Sequence, residues 1–240
     1  MMKVPQSQQI RNRKRQIPEN ADAAGQGGRE MNRAQGRHEL DYFTIGSSIG
    51  GNQDWFTDPM MRLGGCAAET ACDSSIWFSL HFGKHLYPFD IHDLKKKDYK
   101  AFGAQMKPYL RPRFRGIDRL SIYTDGFGAY LRQHGENGIQ MEEFSGDMPQ
   151  ETAFQRIEEQ IDVGLPVPML MLKHKDRFFE DYVWHWFILA GYNAETREVK
   201  TVTYSEAEWV YFPALWDTGY EEKGGLILFH LSDEEVSQAV

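Results

Sequence analysis

A cysteine that follows two glycines is the residue of this sequence best suited to nucleophilic chemistry. The run Gly64-Gly65-Cys66 precedes apolar residues at helical spacing, so Cys66 falls in the first turn of a predicted helix. Partial positive charge and free N–H groups at a helix N-terminus lower the pKa of a thiol and can hold a developing oxyanion. Cys66 is therefore a candidate nucleophile. The alternative is a small buried apolar side chain, which is our interpretation of Cys72.

A histidine at the head of an apolar strand is the candidate base. His185 lies between two tryptophans in a run that continues through Phe187 to Tyr192. A buried imidazole needs a partner for each ring nitrogen, and a thiolate on one side with an oxygen acceptor on the other would supply both. The alternative is a core histidine whose nitrogens bind backbone carbonyls.

The order and context of these two motifs resemble the papain-like cysteine peptidases, in particular the branch of double-glycine (bacteriocin) leader peptidases. The resemblance covers about residues 58–232 and rests on Gly64-Gly65-Cys66, Gly164-Leu165-Pro166-Val167, and His185-Trp186 leading to Gly191-Tyr192. It implies a papain-like α+β fold, in which a helical N-terminal half carries the cysteine helix against a C-terminal antiparallel sheet. It also implies Cys66 as nucleophile and His185 as general base.

The third residue of the family's site, an Asp or Asn that orients the imidazole, is not obvious in this sequence. With a turn near Glu195, residues 204–206 should lie opposite His185 in an antiparallel hairpin. That stretch reads Tyr204-Ser205-Glu206 and lacks the family's Asp-Pro. We choose Glu206 as the orienting residue, with Ser205 and Thr203 as hydrogen-bonding substitutes. The alternative for Glu206 is an exposed glutamate at a strand end.

The oxyanion hole also departs from the family's pattern. The resemblance implies a glutamine six residues before the cysteine, and Met60 occupies that position. Gln53, Asn52 or a backbone N–H would have to donate the hydrogen bond instead.

Two histidines four residues apart, His81 and His85, have the spacing of metal ligands on one helix face. Gly83 lies between them and is expected to end the helix, which would separate the two imidazoles. We therefore predict no metal site, and no cofactor-binding motif is present in the sequence.

Four helices followed by consecutive strands are expected to position these residues. Apolar spacing predicts helices over 66–82, 94–106, 119–134 and 151–163, although Gly126 and Gly128 could break the third. Runs rich in β-branched and aromatic residues predict strands over 166–174, 182–192, 199–204, 209–212 and 226–231. Short connections between these strands favour an antiparallel sheet, because parallel neighbours need long crossovers.

Basic charge is concentrated at the start of the chain. Residues 1–37 hold 8 Lys and Arg against 3 Asp and Glu, whereas the remaining residues hold 19 against 32. This tail has almost no large apolar side chain, so we predict that 1–37 is disordered and that 38–240 forms one papain-like domain. The acidic body and the absence of a base-reading module argue against a nucleic-acid partner.

The expected partner is a peptide or amide-bearing substrate. The apolar run 166–172 is too short for the about 20 residues of a membrane span, so we expect a soluble protein with no membrane partner. The first thirty residues lack the apolar core of a secretory signal, and the 2 cysteines favour a reducing, cytoplasmic setting.

Three functions are consistent with these residues. The first is a cysteine peptidase or amidase that cleaves a peptide or amide bond through Cys66 and His185. The second is an acyl or amide transferase, since an amine can intercept the acyl-thioester if water is excluded. The third is an inactive peptide-binding protein of the same fold, which the departures at Met60 and at the third position favour.

Overall fold

Helices dominate the first half of the chain and strands the second half. In the computed structural model, which describes residues 36–113 and 116–232, the helices have the following bounds. They are α1 (Pro59–Gly64), α2 (Cys66–His81), α3 (Lys96–Met106), α4 (Leu120–Gln133), α5 (Gln150–Asp162) and α6 (Phe212–Trp216). Short 3-10 turns cover Gln53–Trp55 and Arg177–Tyr182. The mixed α+β class predicted from the sequence is confirmed.

An antiparallel sheet forms most of the second half. Its strands are β4 (Ile139–Ser145), β5 (Val167–Met171), β6 (His185–Asn193), β7 (Glu198–Thr203), β8 (Glu206–Tyr211) and β9 (Gly225–Leu231). They are ordered β4-β9-β5-β6-β7-β8, and β1 (Arg37–Glu39) pairs with the far end of β6. The strands β2 (Thr44–Ile45) and β3 (Ser48–Ile49) form a separate small hairpin.

The helix α2 lies at the centre of the molecule and is buried on nearly every side. Its small residues Ala68, Ala71 and Cys72 are fully buried, which lets the helix approach β6 and α3 closely. The hydroxyls of Ser74 and Ser75 donate to the carbonyls four residues earlier, at 2.9 and 2.7 Å. These polar side chains therefore enter the core without leaving a hydrogen-bonding group unsatisfied.

Every residue of β5 and β6 is buried, and α2 and α5 are among the elements packed against β6. This explains why both strands read as nearly continuous apolar runs rather than as alternating patterns. A polar side chain in β6, such as that of His185, is therefore held in the interior and must find its hydrogen bonds there.

The four long helices begin and end within two residues of their predicted bounds. Gly126 and Gly128 do not break α4, which continues through both positions. A Cβ on Gly126 would lie 2.5 Å from the carbonyl oxygen of Tyr109. The absence of a Cβ at that glycine therefore allows a neighbouring chain segment to approach closely. Glycine is kept in the helix for this reason, although it loses more backbone entropy on folding than other residues.

The strand predictions require several corrections: β5 ends at Met171 rather than 174, and β8 begins at Glu206 rather than 209. The strand predicted over 182–192 begins only at His185, because residues Arg177–Tyr182 form a 3-10 turn. The strand β4 (Ile139–Ser145) was not predicted, because Glu142 and Glu143 interrupt its apolar pattern. Those two glutamates are tolerated because β4 lies at the edge of the sheet, where it pairs only with β9 among the described strands.

The predicted tail lies almost entirely outside the described residues. Of the stretch 1–37, only Gly36 and Arg37 are described, and Arg37 already pairs with Asn193 in the sheet. Residues 233–240 of the predicted domain also lie outside the described part. Across 36–113 and 116–232, no helix combines the length and the apolarity that crossing a bilayer requires.

Candidate active site

Two consecutive helices deliver Cys66 to the position that the sequence predicts. The side chain of Asp58 caps α1 by accepting hydrogen bonds from the backbone N–H groups of Met60 and Met61, at 2.9 and 3.1 Å. Helix α1 ends at Gly64, and the carbonyl of Gly65 accepts the first hydrogen bond of α2. Cys66 is therefore the first residue of α2, and it is only 2% exposed.

Backbone N–H groups converge on the thiol. The backbone N–H groups of Trp186, Ala67 and Cys66 itself act to lower the pKa of the Cys66 thiol. Trp186 directly follows His185 in β6, and α2 packs against this strand. The structure thus brings the neighbourhoods of Cys66 and His185 together.

The thiol is not acidic at rest, which corrects an expectation from the sequence. Burial raises the pKa of Cys66 to about 11, and the charge of Glu69 raises it further, against the lowering effect of the backbone N–H donors. The helix N-terminus does lower the pKa of the thiol, as expected. The loss of hydration raises that pKa by more, because protein encloses the sulfur.

His185 is the first residue of β6 and is held by contacts on two sides. Its Nε2 is hydrogen-bonded to Oγ1 of Thr203, the last residue of β7, at 2.7 Å. The ring of Tyr204 stacks on the imidazole with 4.6 Å between centroids and 4° between planes. Burial lowers the pKa of His185 to about 3, so the imidazole is neutral near pH 7 and able to accept a proton.

The residue before His185 adopts an uncommon backbone conformation. Trp184 has a φ of 55°, and its N–H donates to the carbonyl of Leu172 at 3.2 Å. A bulky residue at positive φ costs free energy, and such residues occur preferentially at functional sites. The conformation turns the chain into β6 at His185 and leaves the Trp184 ring partly exposed beside the candidate site.

The side chain hydrogen-bonded to Nε2 of His185 is that of Thr203, and the choice of Glu206 as orienting residue remains a prediction. Tyr204 and Ser205 form the tight turn between β7 and β8, with φ values of 52° and 66°. Glu206 therefore lies beyond that turn, at the start of β8, where it pairs with Thr203. Thr203, which the sequence offered as a substitute, makes the hydrogen bond to Nε2. A turn without glycine gave no local signal of where β7 ends.

Gln53, one of the side-chain candidates for the oxyanion hole, uses its amide donor elsewhere: Nε2 donates to the carbonyl of Arg62 at 3.0 Å. Asn52 Oδ1 accepts from the N–H of Asp54 at 2.8 Å. Met60 is 42% exposed and has no donor to offer. The backbone N–H groups of Cys66 and Ala67, at the N-terminus of α2, act to lower the pKa of the thiol.

Two buried carboxylates on α2 were missed by the sequence analysis. Glu69 and Asp73 are 5% and 4% exposed and lie on the same helix face as Cys66. Burial raises the pKa of Asp73 to about 6 and that of Glu69 well above its ordinary value. The sequence did contain a signal, because these two charged residues lie in a predicted helix whose other residues are mostly small or apolar.

The two spaced histidines do not lie on one helix face. His81 ends α2, and Gly83, with a φ of 62°, leads the chain away before His85. His81 instead stacks on Trp77, with 3.8 Å between ring centroids. Among residues 36–113 and 116–232, no group of three or more His, Cys, Asp or Glu is arranged to hold a metal ion.

The chain matches no protein-family model and no curated protein.

Proposed function

We propose that the protein is a papain-like cysteine peptidase or amidase, with Cys66 as nucleophile and His185 as general base. One observation carries the proposal: the helix that begins at Cys66 packs against the strand that begins at His185, and Nε2 of that histidine is hydrogen-bonded to Thr203. Because Nε2 is hydrogen-bonded to Thr203, Nδ1 is the ring nitrogen that accepts the thiol proton. A nucleophile, a base and a group that orients the base are the three parts that covalent acyl transfer needs.

Before substrate reacts, the Cys66 thiol and the His185 imidazole are both uncharged, and the mechanism starts from that state. As the sulfur adds to the substrate carbonyl carbon, the thiol proton passes to Nδ1 of His185, and the carbonyl oxygen takes up negative charge. The N–H groups of Cys66 and Ala67 at the N-terminus of α2 stabilise that charge. The imidazolium then protonates the leaving amine as the C–N bond breaks, which leaves a thioester on Cys66.

Hydrolysis completes the cycle. His185 takes a proton from a water molecule, whose oxygen attacks the thioester carbonyl. The C–S bond breaks, the product leaves as a carboxylic acid, and the sulfur recovers its proton from the imidazolium. If an amine enters in place of water, the same steps transfer the acyl group instead of hydrolysing it. Both cysteines are free thiols, which supports work in a reducing, cytoplasmic compartment.

A second candidate function is peptide binding without cleavage. Two observations favour it: both Cys66 and His185 are at most 3% exposed, and an exposed Met60 stands where a donor would complete the oxyanion hole. A substrate carbonyl can reach the sulfur only if the surrounding side chains move. Cleavage produces new peptide termini and binding alone does not, so the appearance of new termini distinguishes the two functions.

The test is cleavage of a defined peptide library, followed by mass spectrometry. We expect wild-type protein to produce new termini and Cys66→Ala to produce none. Cys72→Ala is the matched control, because it removes the other buried thiol of α2 without touching the proposed site. Cleavage that survives Cys66→Ala, or no cleavage by wild-type protein that binds library peptides, would contradict the proposal. Addition of an amine tests transfer, since the products would carry that amine.

A further inference from the structure

A buried carboxylate two helical turns beyond Cys66 is a hydrogen-bonding centre. The carboxylate of Asp73 accepts the hydroxyl of Tyr99 at 2.7 Å and that of Tyr42 at 3.2 Å. It also accepts the backbone N–H of Gly51, at 3.1 Å to one oxygen and 3.2 Å to the other. Three donors from separate segments thus converge on one side chain of the helix that carries the nucleophile.

The segment that reaches Asp73 is fitted to it through glycines. Gly50 has a φ of 67°, and a Cβ there would lie 2.6 Å from a carboxylate oxygen of Asp73. A Cβ on Gly51 would overlap the hydroxyl of Tyr99. Two residues further on, the N–H of Gln53 donates to Glu69 at 2.8 Å. This segment is therefore bound to α2 at two points, both carboxylates.

The other side of the same segment holds the turn between β7 and β8. The carbonyl of Gly51 accepts hydrogen bonds from the N–H of Ser205 at 3.1 Å and from its hydroxyl at 3.3 Å. In return, the carbonyl of Ser205 accepts the N–H of Ile49 at 3.0 Å. The turn is thus tied by three hydrogen bonds to the segment that Asp73 holds.

That turn also carries the groups that hold the imidazole. Thr203 precedes it and bonds Nε2 of His185, and Tyr204 within it stacks on the ring. A continuous series of contacts therefore runs from α2 through Gly51 and Ser205 to His185. Cys66 and Asp73 lie on one rigid helix, so the series fixes the base relative to the nucleophile.

On the basis of the proposed function, we infer that Asp73 is a positioning residue for His185, acting through Gly51 and the turn at Ser205. A carboxylate suits this task because both of its oxygens accept hydrogen bonds. The donors of Tyr99, Tyr42 and Gly51 all need an acceptor at this one point. An asparagine would keep one acceptor but would direct its NH₂ at donors. The substitution therefore disturbs the position of the Gly51 segment while preserving the size of the side chain.

The test is a double-mutant cycle on the rate at which iodoacetamide alkylates Cys66 at pH 7. Fragment-ion sequencing of the labelled protein separates Cys66 from Cys72. We expect His185→Ala to slow alkylation about tenfold, because a neutral buried thiol needs the imidazole to accept its proton. We expect Asp73→Asn to slow it by a similar factor when His185 is present and to have no further effect when His185 is absent.

Controls separate positioning from general loosening of the fold. Tyr130→Phe removes a different buried hydroxyl, which donates to the carbonyl of Leu86 at 2.5 Å, and should leave alkylation unchanged. Ser205→Gly keeps the fold, since a φ of 66° suits glycine, but removes the hydroxyl bond to Gly51. We expect it to slow alkylation about threefold, again only when His185 is present. This variant keeps the test decisive if Asp73→Asn does not fold.

An equal effect of Asp73→Asn with and without His185, or no effect at all, would overturn the inference. Failure of the proposed function gives a different pattern, in which His185→Ala changes neither alkylation nor peptide cleavage. In that case the NMR resonances of the His185 ring decide. We expect them to shift in Asp73→Asn and in Ser205→Gly but not in Tyr130→Phe, and unchanged resonances in the first two variants would overturn the inference.

Discussion

At the scale of single residues, burial governs the chemistry of the site. It raises the pKa of Cys66 to about 11 and lowers that of His185 to about 3, so both the thiol and the imidazole are uncharged near pH 7. The helix N-terminus that suggested an acidic thiol is present, but its effect is smaller than the loss of hydration. Local sequence suggests the candidate residues. It does not predict how completely the fold encloses them.

The first prediction concerns the ionisation of the thiol. We expect Cys66 to contribute no thiolate absorbance in the ultraviolet below about pH 9, because its pKa lies near 11. The measurement is the difference spectrum between wild-type protein and Cys66→Ser during a pH titration. A thiolate signal from Cys66 at pH 6 would show that the resting pair is an ion pair.

The second prediction separates Thr203 from Glu206. Thr203→Val keeps the shape of the side chain but removes the bond to Nε2, and we expect peptide turnover to fall about tenfold or more. Glu206→Gln also keeps shape and should leave turnover within about twofold. Steady-state kinetics on a peptide selected from the library measures both. The reverse order of effects would restore Glu206 as the orienting residue.

The third prediction concerns stability at acid pH. The pKa of His185 is about 3 in the folded protein against 6.5 ordinarily, so between these values the unfolded chain binds more protons than the folded one. Its contribution to stability is therefore complete above pH 6.5 and is lost as the pH falls toward 3. Asp73, whose pKa is raised to about 6, acts in the opposite direction.

The measurement is urea unfolding of wild-type protein and His185→Gln between pH 7 and 4. We expect the difference in unfolding free energy between the two to shrink by about 1.4 kcal/mol for each pH unit below the ordinary histidine pKa. Comparing the two proteins cancels the contribution of Asp73 and the other carboxylates. A difference that stays constant with pH would show that His185 is not buried in its neutral form.

At the scale of elements, periodicity predicts the helices well and the strand ends poorly. Helix α2 was predicted to within one residue, because glycines flank it on both sides and small or apolar residues fill it. The start of β8 was not, since it was predicted at 209 and lies at Glu206, directly after Tyr204 and Ser205, which adopt positive φ without glycine. Hydrogen bonds from the turn to Gly51, about 150 residues away in sequence, stabilise that conformation. No local pattern records such a contact.

The fourth prediction concerns two glycines of α4 that the sequence offered as helix breakers. Gly126→Ala should destabilise the protein by about 1–3 kcal/mol, because a Cβ there would press on the carbonyl of Tyr109 at 2.5 Å. Gly128→Ala meets only the movable end of Arg132 at 3.1 Å and should be neutral or stabilising by up to about 1 kcal/mol. Urea unfolding of both variants measures the contrast. Equal effects at the two positions would contradict the packing of α4.

At the scale of the whole molecule, the helical half carries Cys66, the proposed nucleophile, and the sheet carries His185, the proposed base. The mixed α+β order was predictable because helical and strand patterns occupy separate halves of the chain. The joining of the halves was not, since it depends on polar contacts such as those between Ser205 and Gly51. These contacts link residues that are distant in sequence, and neither residue of a pair is marked by a pattern in its own segment.

The fifth prediction concerns the basic N-terminal stretch. Its composition offers few apolar side chains to pack on the body, so removal of residues 1–35 should change the melting temperature by less than about 5 °C. Calorimetry of the full chain and of residues 36–240 provides the comparison. A larger drop would show that the stretch packs on the described core.

The most direct test of the central claim is detection of an acyl-thioester on Cys66. Wild-type protein is mixed with a cleaved library peptide and quenched with acid within the first turnover, and fragment ions locate any added acyl mass. We expect the acyl group on Cys66, absent from Cys72 and absent in His185→Ala at the same time point. Peptide cleavage with no acyl group on Cys66, or an acyl group that forms as fast without His185, would contradict the account.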